Sequence, residues 1–142
     1  MVDTDFEALS APEVGNMLSG FGVNLLVKDV LQETEFLRNV LGFQIVRASE
    51  DYAIAQSGNQ LYQLHADHTY SSHPLLQHLP EAPPRGLGVE LRLYDVDPDQ
   101  AEQKAKDGGY VVLQTTMNKP HGLRECFLMD HDGYCWVPSR AI

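Results

Sequence analysis

One stretch of this chain occurs twice, and that repeat limits the folds open to it more than any other feature. Residues 22–30 read G-V-N-L-L-V-K-D-V, and residues 88–96 read G-V-E-L-R-L-Y-D-V. Gly22/Gly88, Val23/Val89, Leu25/Leu91, Asp29/Asp95 and Val30/Val96 are identical, and Val27/Leu93 are both aliphatic. The register persists downstream, where G-F-Q-I-V at 42–46 falls in step with G-G-Y-V-V at 108–112. A repeat that keeps its spacing through several elements indicates a duplicated supersecondary unit.

Each copy opens with period-two alternation, the mark of a strand with two unlike faces. The aliphatic sets Val23/Leu25/Val27 and Val89/Leu91/Leu93 should pack on a helix, leaving the other set to a cavity or to solvent. Asp29 and Asp95 stand at helix N-cap positions before helices at 31–41 and 98–106. Pro98 suits a first helical turn. Gly42 and Gly108 follow as C-terminal stops. Further strands are expected at 43–47, 52–55 and 61–65, and again at 110–113, 124–129 and 134–137, with a loop at 115–122. The chain therefore reads βαβββ, linker, βαβββ. The expected boundaries are an arm at 1–19, a first unit at 20–65, a linker at 66–86 and a second unit at 87–142, with 20–142 forming one compact domain. Pro74, Pro80, Pro83 and Pro84 rule out a long helix in the linker. A short helix is expected near 12–18, weakened by Gly15. This arm is either a surface segment or a cover for a partner subunit.

With 43% hydrophobic residues and no long apolar run, the sequence offers no membrane span. Its N-terminus lacks the basic-then-apolar pattern of a secretory signal. Cys126 and Cys135 do not make a disulfide framework, so reduced thiols and a cytoplasmic location are expected. A formal net charge of −10 argues against a nucleic-acid partner. It favours the approach of cations, or simply keeps the chain soluble.

The motifs V-K-D-V at 27–30, V-L-G-F at 40–43 and R-E-C-F…D-H-D-G-Y across 124–134 resemble the vicinal oxygen chelate superfamily. That superfamily includes glyoxalase I, extradiol dioxygenases, and the fosfomycin- and bleomycin-resistance proteins. The resemblance implies an α+β fold in which tandem βαβββ units form curved sheets around a cup. It also implies where catalytic members hold a divalent metal: here those positions fall on Gly22, Gln63, Gly88 and Val137. Glycine and valine offer no side-chain donor, so neither metal nor cofactor is expected.

Other residues furnish the candidate site. Asn24, Gln63, His65, Glu90 and Arg92 lie on the strand faces opposite the aliphatic rows, with Gly88 beside them. Glu90 either pairs with Arg92 or contacts ligand. His121 is a rim candidate, and His65, His68, His73 and His78 cluster in or beside the linker. Arg124 and Glu125 form either a charged lip or a cross-strand pair. Three functions compete. The first is a metal-free binding protein, like the bleomycin-resistance branch, that sequesters a cationic or aromatic drug or metabolite. The second is a glyoxalase-like lyase, isomerase or dioxygenase with a rearranged site and Glu90 or His65 as base. The third is an interaction domain whose cup is filled by side chains. A homodimer is expected on grounds of exposed edges and common two-fold pairing, with an interface that includes the linker at 66–86 or the arm at 1–19.

Overall fold

The structure is a computed structural model and describes residues 4–69 and 72–142. Part of the arm (1–3) and part of the linker (70–71) lie outside the described residues. The elements run α1 (Ala11–Met17), β1 (Val23–Val27), α2 (Val30–Asn39), β2 (Gln44–Ala48), β3 (Tyr52–Ser57) and β4 (Gln60–Ala66). They continue as β5 (Leu91–Tyr94), α3 (Pro98–Asp107), β6 (Val111–Asn118), β7 (Leu123–Met129) and β8 (Cys135–Ala141). Short 3-10 turns occupy Phe6–Ala8, Asp67–Thr69 and Leu76–His78.

Two four-stranded sheets result, ordered β1-β4-β3-β2 (sheet 1) and β5-β8-β7-β6 (sheet 2). The first strand of each unit runs parallel to the last, and the other pairs are antiparallel. The repeat extends to irregularities: β2 bulges between Ile45 and Arg47, and β6 between Val112 and Gln114. The α+β architecture of tandem βαβββ units is thus present as the repeat predicts.

The helix-facing sides of both sheets share one core. It takes Leu25, Val27, Ala53, Ala55 and Leu64 from sheet 1, and Phe36, Leu37, Val40 and Leu41 from α2 and its C-terminal turn. Leu93, Cys126, Leu128 and Trp136 from sheet 2 join them, with Ala101 and Ala105 from α3. Trp136 is fully buried, and its ring lies 5.7 Å from that of Phe43 and 6.1 Å from that of Tyr62. The linker adds a polar clamp. Arg85 donates to Leu26 O at 2.8 Å and pairs with Asp67 at 2.6 Å, while its backbone N–H donates to Asp132 O at 2.8 Å.

Several expectations need correction. Asp29 caps α2, but the cap of α3 is Asp97, because Pro98 takes the first helical position; Asp95 instead adopts a left-handed backbone with φ 62°. Val89 precedes β5 and is exposed, and Gly88 turns with φ 83°, so the fifth strand starts later than its twin. The first half of the expected loop at 115–122 is strand, since β6 runs to Asn118. Gly42 stops its helix with φ 75°, whereas in the second unit Gly109, not Gly108, takes the left-handed conformation, with φ 77°. Finally, the arm does not stand away from the chain. It folds onto its own first unit.

Candidate functional site

On β3, Ala53 and Ala55 face the helix core, so Ile54 must face the other way. That outer face of sheet 1 is where the arm lands. Phe6, Val14 and Ile54 form a second buried cluster, with Leu9, Val46, Tyr52 and Leu61 packed against it. α1 forms because Ser10 and Glu13 make a reciprocal capping box and Pro12 sits in the first turn. Arg47 then fastens the arm by donating Nη1 to Phe6 O at 3.1 Å and Leu9 O at 2.8 Å. Glu7 accepts from Ala48 N at 3.0 Å.

The arm does not fill this face completely. A cavity of about 470 Å³ remains on one side, bounded by Ala11, Val14, Gly15 and Leu18 of the arm and by Tyr52, Gln63 and His65 of the sheet. A second hollow of about 530 Å³ lies on the other side, near Phe21, Gly22 and Leu61, and Gln63 borders both. Within the first cavity Tyr52 Oη donates to Gln63 Oε1 at 2.8 Å. The rings of Tyr52 and His65 lie 4.9 Å apart, tilted by 40°. Burial, followed by the neighbouring His73, pushes the His65 pKa below that of an ordinary imidazole.

The outer face of sheet 2 carries a different arrangement. Cys126, Leu128 and Trp136 face the core, which puts Glu125, Phe127 and Val137 on the outer side. Glu125 is only 2% exposed. One of its carboxylate oxygens accepts from Arg92, and the other lies 3.3 Å from His121 Nε2. Arg92 also donates to Glu90 at 2.8 Å. Arg124 points elsewhere and pairs with Asp99 at 2.7 Å. Glu125 and Val137 are buried on this face, but no segment of the described residues packs on it as the arm packs on sheet 1, and Tyr94, Val111 and Met117 are exposed there.

The candidate residues thus fall into two groups. Gln63 and His65 meet beneath the arm, and Asn24 is beside Gln63 in register but exposed. Glu90, Arg92 and His121 meet around Glu125 on the other sheet. Gly88 lies in the turn before β5 and joins neither. Within one chain the two groups do not line a single cup. Glu90 takes the pairing with Arg92 as one of its two expected roles. Sequence reasoning missed Tyr52 and the arm residues altogether. It placed Glu125 with Arg124, as a charged lip of the site or a cross-strand pair; the alternation with Cys126 and Leu128 was the signal that places it on the outer face.

Residues 22–137 match the family model for the glyoxalase/bleomycin resistance protein/dioxygenase superfamily. The chain belongs to that superfamily. Solved structures with the same fold include a glyoxalase/bleomycin resistance protein/dioxygenase family enzyme from Burkholderia phytofirmans PsJN (TM-score 0.69, 18% identity, 84% of this chain and 96% of that one). A hypothetical protein, SA1046, from S. aureus matches at TM-score 0.68 and 20% identity, over 88% and 95% of the two chains. The fosfomycin resistance protein FosX from Listeria monocytogenes matches at TM-score 0.63 and 16% identity, over 89% and 96%. Among curated proteins nothing matches.

The superfamily's metal positions do not fit a divalent ion in this chain. Gly22, Gly88 and Val137 supply no donor, and Gln63 Oε1 is engaged by Tyr52. Among the described residues, no three His, Cys, Asp or Glu side chains converge as ligands. Both thiols are free, and burial raises the pKa of each, that of Cys126 to about 11. Neither is poised as a thiolate nucleophile. No helix among the described residues is long and apolar enough to cross a membrane.

Proposed function

We propose that this superfamily member is a metal-free binding protein, which holds a small organic molecule in the cavity between α1 and sheet 1. The observation that carries this reading is the convergence of Tyr52, Gln63 and His65 in one partly enclosed space of about 470 Å³. Polar groups that converge beside apolar walls in a hollow of this size can orient a small ligand. Binding by affinity alone suits the missing donors at Gly22, Gly88 and Val137 and would serve sequestration. Fold likeness does not choose a function, because proteins described as a fosfomycin resistance protein and as a lactoylglutathione lyase both share the fold. The test is native mass spectrometry of the purified protein followed by calorimetry with any retained molecule. Gln63→Ala should weaken that molecule at least tenfold; unchanged affinity would move the site elsewhere.

A second reading is favoured by Glu125. A buried carboxylate beside a histidine and an arginine is a common acid–base arrangement, and it would support the enzyme alternative. Turnover of a glyoxalase-type substrate lost in His121→Ala would favour it. The uncovered face of sheet 2 further supports a homodimer, which sedimentation showing only a 15.9 kDa species at micromolar concentration would overturn.

A further inference from the structure

The cavity beneath α1 has a chemistry that narrows its ligand. Its lining includes one carboxylate, Glu7, and one guanidinium, Arg47. Both are engaged within the protein: Glu7 by Ala48 N, and Arg47 by two arm carbonyls and by the Tyr52 ring 5.8 Å away. The two formal charges sum to zero, and burial, followed by the neighbouring His73, disfavours the protonated form of His65. A cation entering it would give up hydration without gaining an unpaired partner.

Two features remain unassigned. Tyr52 Oη engages the carbonyl side of the Gln63 amide, and the amide nitrogen of Gln63 has no acceptor among the described residues. It can donate to a carbonyl-type acceptor. Across the cavity, α1 presents Ala11 and, one turn later, Gly15. A glycine inside a helix costs about 1 kcal/mol against alanine. Nothing lies within 4 Å of where a Gly15 Cβ would stand, and its backbone is not in the left-handed region. Neither crowding nor backbone conformation requires glycine there. What it supplies is open space on the α1 side of the cavity.

We infer that the cavity takes an uncharged, flat ring molecule bearing a carbonyl for the Gln63 amide, held between the Tyr52/His65 rings and the Ala11/Gly15 face of α1, and that Gly15 sets the thickness admitted. The inference rests on the binding reading above and adds the ligand class.

The test uses two planar bicyclic probes of matched size: coumarin, which is neutral and carries a carbonyl, and N-methylquinolinium, which is cationic. Each is titrated into the full-length wild type, Gly15→Ala and Gly15→Leu, with amide NMR shifts and calorimetry as readouts. Coumarin should shift the amides of Ala11, Tyr52, Gln63 and His65 and bind at least about tenfold more tightly than the cation. Gly15→Leu should abolish coumarin binding while circular dichroism and melting temperature hold, because leucine favours the helix. Gly15→Ala, with its smaller side chain, should retain part of the binding. If the cation binds in this cavity as tightly as coumarin and Gly15→Leu blocks it, the ligand class is wrong and the binding site stands. If coumarin binds equally to wild type and Gly15→Leu, the thickness argument fails. If neither probe shifts the cavity amides, both this inference and the location of the site fall.

Discussion

The two units share strand order, register and even the position of a bulge, yet they dispose of their surfaces differently. In the first, α2 supplies large apolar side chains and the outer sheet face is covered by the chain's own arm. In the second, α3 supplies only Ala101 and Ala105, the sheet contributes Trp136 to make up the volume, and the outer face is left open around a buried Glu125. A duplication preserves the backbone plan because strand alternation and caps are local. What each face meets depends on segments outside the repeat, and only the first copy is preceded by an arm.

The comparison can be tested directly. Ile54 is fully buried under the arm, so Ile54→Ala should cost about 2–5 kcal/mol in urea unfolding. Phe127→Ala, on the matching face of sheet 2, should cost about 1 kcal/mol, mostly its contact with Lys119. Equal losses would mean that the second face is covered too. Next in size is Arg92→Met, which leaves Glu125 buried without its strongest partner. It should cost roughly 3 kcal/mol, and adding Glu125→Leu should recover most of that. No recovery would show that the pair does more than neutralise itself.

The seam between the units gives an effect of opposite sign. Glu33 on α2 is buried, its Oε1 has no hydrogen-bond partner, and it lies against Asp130 and Asp132 of the β7–β8 turn. Burial first, then those carboxylates, raise its pKa well above the ordinary glutamate value. The folded state therefore holds a proton that the unfolded chain releases from about pH 4.5 upward, and this contribution to stability falls as pH rises through that window. Glu33→Gln should remove that slope and raise the melting temperature at pH 8 by roughly 3–10 °C. A drop instead would mean that the ionised carboxylate has a favourable partner. The smallest effect is Gly15→Ala, which should stabilise the arm by about 0.5–1 kcal/mol, seen as slower exchange of the α1 amides.

The sequence carried the architecture because the repeat, the alternation and the Asp29 cap are local signals. It misplaced the second cap because Asp95 matches Asp29 in the repeat, while Pro98 hands the role to Asp97. The arm's docking was not legible: Phe6, Leu9 and Val14 show apolar spacing but nothing in them names the surface they cover. The site was half legible for a related reason. Alternation tells which face of a strand Gln63 or Glu90 occupies, but not whether the two faces meet. Here they belong to separate sheets.

Trp136 carries one more consequence. Its indole belongs to the second copy, but the rings it touches, Phe43 and Tyr62, belong to the first. A single copy would own half an interior and present that ring to water. Solenoid repeats gain or lose modules because each brings its own stability. These two copies share a single interior instead, so neither can be excised without the other, and calorimetry should record one cooperative endotherm for the pair.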